Sequence, residues 1–98
     1  MRKLTLDELR TNKGWFTILK NGKFYNCFFL KNEEEENKCE VVLCTDAFIC
    51  EKYKYGVGRR VYTVVEVLAD SKETGNALYR KIKASERISK KGFTYCTL

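Results

Sequence analysis

An Asn-Gly pair between two aromatic and β-branched runs is the sequence feature that most restricts the fold. Residues 15–20 and 23–30 flank Asn21-Gly22. Asn and Gly tolerate the positive φ angles of a type I′ turn, so this segment is predicted to form a two-residue β-hairpin. Such a turn opposes three pairs of residues: Leu19 with Phe24, Ile18 with Tyr25, and Trp15 with Phe28. Both faces of the hairpin are then largely apolar. We expect one face to pack on the core and the other to be covered by a helix, by more chain or by a partner.

The remaining segments predict two helices and several further strands. A short helix over residues 5–10 begins with Thr5 and Glu8 at capping-box spacing, and Leu6 and Leu9 are expected to face the core. Strands are predicted over 40–45, 47–55, 61–69 and 93–98, with Asp46 in a turn and a flexible hairpin tip at 56–58. Residues 61–68 are apolar on both alternating faces, which is typical of a central strand. A long helix is predicted to begin after Asp70-Ser71 and to run to about Lys91, with Gly92 ending it.

These elements predict the α+β class, in a single domain over residues 1–98. The expected architecture is a mostly antiparallel sheet of five or six strands, with one long helix and a short N-terminal helix. A highly curved or partly open barrel is the alternative. The predicted core consists of Trp15, Ile18, Phe28, Val42, Leu43, Ile49, Val65, Val67, Leu78 and Ile82.

The excess of positive over negative charge in this 98-residue chain lies entirely in its second half. The net charge is +6, but residues 1–49 hold eight basic and eight acidic side chains, whereas residues 50–98 hold eleven and five. A one-sided excess of cations favours a polyanionic or acidic partner, although a well-solvated surface explains the same composition. No apolar run approaches the length of a transmembrane helix, and the first residues do not resemble a signal peptide, so a cytoplasmic location is expected.

The first candidate site is the outer face of the long helix. On a helical wheel its cations fall together, opposite an apolar stripe that contains Leu78, Ile82 and Ile88. The five residues are Arg80, Lys83, Arg87, Lys90 and Lys91. A helix lying along phosphates presents such a face, and so does any solvated amphipathic helix.

The second candidate site interleaves basic and aromatic residues around the glycine-containing turn. Its residues are Lys52, Tyr53, Lys54, Tyr55, Arg59 and Arg60. Aromatic rings beside cations hold single strands of nucleic acid by stacking and by charge. The alternative is an edge hairpin in which lysines prevent aggregation.

Catalysis, metal binding and cofactor binding have little support in the sequence. The chain contains no histidine, and its five cysteines form no Cys-x-x-Cys pair. An odd number of cysteines in apolar segments indicates buried, reduced thiols in a reducing compartment. We therefore expect no enzymatic activity, no metal and no cofactor.

Two functional hypotheses follow. The first is a non-enzymatic protein that binds nucleic acid or a nucleic-acid-handling complex through a basic surface. The second is a phage or mobile-element inhibitor of the counter-defence type, which binds a host protein stoichiometrically. It would use the basic face, or the acidic loop Glu33, Glu34, Glu35 and Glu36 as a mimic of phosphates. A homo-oligomer, with the double-faced hairpin as its seam, is left open.

Overall fold

The computed structural model describes residues 2–32, 34–50 and 58–98, leaving aside the side chains of Lys13 and Cys50. These described residues form two helices and six strands. In chain order these are α1 (Leu6–Arg10), β1 (Asn12–Lys20), β2 (Lys23–Lys31), β3 (Cys39–Cys50), β4 (Gly58–Ala69), α2 (Lys72–Ala84), β5 (Arg87–Ile88) and β6 (Thr94–Thr97). The strands form one sheet in the order β4-β3-β2-β1-β6-β5, in which only β1 and β6 run parallel. The α+β prediction is confirmed, and the sheet is open rather than closed into a barrel.

The β1–β2 hairpin forms as its turn sequence predicts. Asn21 has a φ angle of 52° and Gly22 one of 76°, so both residues of the turn are in the left-handed region. All three predicted residue pairs oppose each other in the register. This hairpin lies at the centre of the sheet, because β3 pairs with β2 and β6 pairs with β1.

The two faces of the sheet carry separate apolar clusters. On the first face, α2 covers Ile18, Val41 and Leu43, and Ile82 of the helix is fully buried among them. The second face carries Phe28, Leu30, Val42, Cys44 and Val64. Leu4 and Leu9 from the N-terminal segment pack against this second cluster. The N-terminal segment thus covers part of the second face, as expected.

The N-terminal helix begins at the predicted capping box but turns a different leucine inward. The Thr5 hydroxyl accepts a hydrogen bond from the Glu8 amide, and the Glu8 carboxylate accepts one from the Thr5 amide. The preceding residues run along β4, where the Leu4 amide donates to the Tyr62 carbonyl at 2.9 Å. Leu4 therefore occupies the place expected for Leu6, which is 73% exposed.

The predicted turn at Asp46 is wrong, because β3 continues through this residue to Cys50. Asp46 lies opposite Tyr62 in β4, and its carboxylate is ion-paired with Arg60. Beyond Cys44, the paired residues of β3 have partners in β4 alone among the described residues, so residues 45–50 and 58–63 extend from the sheet and are called the arm. Lys3 bridges Thr63 at the base of the arm.

The central position predicted for residues 61–68 is also wrong. The strand that contains them, β4, lies at the edge of the sheet and carries irregularities in its pairing with β3 on either side of Glu66. Each irregularity inserts a residue and resets the inside–outside alternation. Val65 is one of the inserted residues, and Val67 lies opposite Val42 at the open edge of the sheet; both are exposed. Trp15, on β1, is exposed as well, so these three predicted core residues are wrong.

The predicted helix end at Lys91 is wrong as well, because α2 ends at Ala84. Ser85 caps it: the Ser85 Oγ lies 2.7 Å from the Ile82 carbonyl oxygen and accepts a hydrogen bond from the Thr97 amide at 3.0 Å. The chain then forms β5, a tight turn and β6. Gly92 does adopt a positive φ angle, 91°, but it does so in this turn rather than after a helix.

Candidate nucleic-acid interface

The cations predicted to form the binding surface separate into three groups. Four residues of the second candidate site, Lys52 to Tyr55, lie outside the described residues. Arg59 and Arg60 lie on the arm, Arg80 and Lys83 lie on α2, and the remaining three lie on the β5–β6 hairpin: Arg87, Lys90 and Lys91. The five cations assigned to one helix face are therefore divided between a helix and a hairpin.

The arm and the β5–β6 hairpin lie at opposite edges of the sheet. Five strand-to-strand steps separate β4 from β5, which corresponds to about 24 Å at the usual strand spacing. On the arm, Arg60 is ion-paired with Asp46. The arm cations and the hairpin cations therefore do not form one continuous surface.

The helix cations lie on the layer that covers the first face. The Lys83 Nζ is 3.3 Å from a carboxylate oxygen of Glu86 and 6.0 Å from the centroid of the Phe16 ring. Arg80 is exposed and forms no ion pair with any residue that the structure describes. Two cations of α2, Arg80 and Lys83, were predicted to bind, and Lys83 is already paired with an acidic neighbour.

A tight turn presents Lys90 and Lys91 to solvent. The Gly92 amide donates to the Ser89 carbonyl at 3.0 Å, and the Ser89 amide donates to the Phe93 carbonyl at 2.8 Å. The Ser89 Oγ accepts a further hydrogen bond from the Phe93 amide at 3.2 Å. The two lysines occupy the central positions of this turn and are both exposed.

Three aromatic rings lie beside this turn on the second face of the sheet. The Phe24 ring centroid is 5.5 Å from that of Phe93 and 5.8 Å from that of Tyr95, in edge-to-face geometry. Phe24 is 46% exposed and Phe93 is 41% exposed. Arg87 lies directly opposite Tyr95 in the β5–β6 pair, which places it on the same face. We call this set the hairpin surface: Phe24, Arg87, Lys90, Lys91, Phe93 and Tyr95.

The cations of the hairpin surface are not compensated by acids within the described part of the chain. Arg2, Arg10, Lys20, Lys38, Arg60 and Lys83 each pair with a carboxylate. Arg87, Lys90 and Lys91 have no such pair among residues 2–32, 34–50 and 58–98. This group therefore combines exposed positive charge with exposed aromatic rings.

The sequence contains a signal for this turn, which the prediction of a helix to about Lys91 overlooked. Residues 90–93, Lys-Lys-Gly-Phe, place two cations and a glycine directly before an aromatic residue. A glycine after a basic run ends a helix or forms a tight turn, and here it forms the turn. Phe24 could not have been associated with these residues locally, because it lies on a distant part of the chain.

The acidic loop between β2 and β3 does not neutralise these cations in the described part of the chain. Glu33 lies outside the described residues, and Glu34, Glu35 and Glu36 are exposed. The Asn32 Oδ1 accepts hydrogen bonds from the Glu34 and Glu35 amides, at 2.9 and 3.3 Å. The Glu35 carboxylate lies 3.0 Å from the Lys38 Nζ, so the loop compensates part of its own charge.

The buried thiols are poor nucleophiles at neutral pH. Burial raises the pKa of Cys27 to about 12 and that of Cys44 to about 11. Burial also raises the pKa of Cys96. The thiolate is the reactive form of cysteine, so these three side chains remain protonated and act as small apolar groups. Among the described residues, no group of three or more His, Cys, Asp or Glu side chains is placed to hold a metal ion.

Comparisons with models of protein families, with curated proteins and with solved structures found no match to this chain. Neither α1 nor α2, the helices of the described residues, has the length and apolar character needed to span a membrane.

Proposed function

We propose that this protein is a non-enzymatic nucleic-acid-binding protein that contacts phosphates through the hairpin surface. The observation that supports the proposal is the exposure of Arg87, Lys90 and Lys91 without acidic partners among the described residues. Cations of this kind bind phosphates favourably because binding releases the counterions condensed on the nucleic acid. The arm and α2 support the proposal less well, since Arg60 and Lys83 are each paired with a carboxylate.

The inhibitor hypothesis has weaker support. Phosphate mimicry requires a row of free carboxylates, and Glu35 is paired with Lys38 in the loop. We therefore keep the variant E34S/E35S/E36S as a control for the binding experiment. Removing these three exposed carboxylates is expected to leave nucleic-acid binding unchanged or slightly stronger.

The dependence of binding on salt tests the proposal. We expect the protein to bind a fluorescein-labelled oligodeoxythymidylate of twelve nucleotides with a dissociation constant of about 1 μM or below at low salt. Three phosphate contacts on a single strand predict a slope of about −2 in a plot of log K against log salt concentration. A tenfold rise in salt should then lower the association constant about 100-fold, as measured by fluorescence anisotropy.

Two results would contradict the proposal. One is the absence of any anisotropy change at low salt and protein concentrations well above micromolar. The other is binding that does not change with salt, since this would mean that no phosphate is contacted.

A further inference from the structure

We infer that the ligand of the hairpin surface is a single strand, whose bases stack on Phe93, Tyr95 and Phe24 while Arg87, Lys90 and Lys91 hold its phosphates. The inference depends on the proposed function and specifies its substrate class. It is carried by a separate observation, the exposed aromatic rings on the second face of the sheet.

The three rings of the hairpin surface are partly open to solvent. Phe24 contacts Phe93 and Tyr95 edge-to-face, and the Phe93 and Tyr95 rings are tilted at 54° to each other. None of these contacts stacks one ring flat on another, so the three rings do not bury one another completely. Phe24 and Phe93 keep close to half of their surface in solvent. Exposed rings on a sheet face are costly in water and provide flat apolar surfaces for a planar ligand.

Bases in a duplex cannot stack on these rings. Each base of a duplex already stacks on its neighbours and presents only its edges in the grooves. Unpaired bases have free π faces, and stacking of such bases on aromatic side chains is tolerant of sequence. Sheet faces with exposed aromatic residues stack two or three bases in this way.

The cations of the hairpin surface lie beside its rings. Arg87 lies directly across the β5–β6 pair from Tyr95, and Lys91 is separated from Phe93 only by Gly92. The positive charges thus border the rings at the sheet edge. In a single strand the phosphates run alongside the bases, and here the cations lie alongside the rings.

The closing experiment compares a twelve-nucleotide single strand with a duplex of the same length. We expect the single strand to bind at least about tenfold more tightly at equal salt. Phe93→Ala should weaken single-strand binding by about 5- to 100-fold and leave the weaker duplex binding unchanged. Phe48→Ala removes an equally large ring from the exposed surface of the arm, and it should change neither affinity.

A conservative variant separates loss of the ring from loss of the fold. Phe93→Tyr retains a stacking surface, so it should bind the single strand within about twofold of the unchanged protein. Equal affinity for single strand and duplex, or full binding by Phe93→Ala, would overturn the inference. If the salt slope were still near −2 in that case, the proposed function would stand. Absence of binding to either oligonucleotide would instead overturn both.

Discussion

The variant R87E/K90E/K91E is expected to bind a single-stranded oligonucleotide at least about 100-fold more weakly than the unchanged protein at low salt. Each substitution removes a contact with phosphate and adds a repulsive charge at the same place. None of the three residues has an ion pair with a described residue, so the fold should tolerate the change. Fluorescence anisotropy measures the loss, and circular dichroism checks that the protein remains folded.

A second triple variant with the same charge change provides the control. K72E/R80E/K81E alters three exposed cations of α2, on the layer that covers the opposite face of the sheet. Both variants reduce the formal net charge from +6 to zero, since three reversals each remove two charges. We expect the helix variant to lose less than about tenfold in affinity, through the general field of the protein alone. Equal losses in the two variants would show that net charge, rather than the hairpin surface, governs binding.

Ile82→Ala is expected to lower the free energy of unfolding by about 3 to 4 kcal/mol. Ile82 has no exposed surface and lies in the cluster with Ile18, Val41 and Leu43, where it attaches α2 to the first face of the sheet. Truncation leaves a cavity beneath the helix and removes apolar contacts from both layers. The loss is large for a domain of this size, whose total stability is typically about 5 to 15 kcal/mol. Urea denaturation followed by circular dichroism measures it.

Ile88→Ala is the matched control for the core substitution. The sequence places both isoleucines on one apolar helical stripe, but Ile88 lies on β5 and is 76% exposed. We expect its truncation to change the free energy of unfolding by less than about 0.5 kcal/mol. Similar losses from the two substitutions would mean that the helix extends beyond Ala84 and buries both residues, contrary to the structure.

The parts of the fold that the sequence predicted depend on local interactions. The Asn21-Gly22 turn sets its own register, because a two-residue loop leaves one way to pair the strands. The Thr5–Glu8 capping box likewise involves residues three apart. Both signals lie within a few positions of the structure they determine, and both were predicted correctly.

The parts that the sequence did not predict depend on distant residues. The end of α2 is fixed by the contact between Ser85 and Thr97, twelve positions along the chain. The residues after Ala84 are polar and basic, so their sequence pattern alone favours a longer helix. The pairing irregularities of β4 arise against β3, so they do not show in the alternation of β4 alone.

In the candidate site, too, the local features were predicted and the contacts between distant residues were not. Composition located the excess of cations in the second half of the chain, and the three hairpin cations were all among the predicted binding residues. Their separation from the arm and from the helix depends on the strand order, which brings β5 and β6 to the edge opposite β4. The aromatic cluster joins Phe24 in β2 to residues near the C-terminal end, a contact that no local pattern reveals.

A map of amide chemical shifts in ¹⁵N-labelled protein, titrated with the twelve-nucleotide single strand, tests directly whether the hairpin surface binds the strand. We predict that the largest changes occur at Arg87, at residues 90–95 and at Phe24, and that the arm and the outer face of α2 change little. Shifts concentrated on residues 58–62 of the arm, or on α2 around Arg80, with the hairpin surface unaffected, would contradict the account.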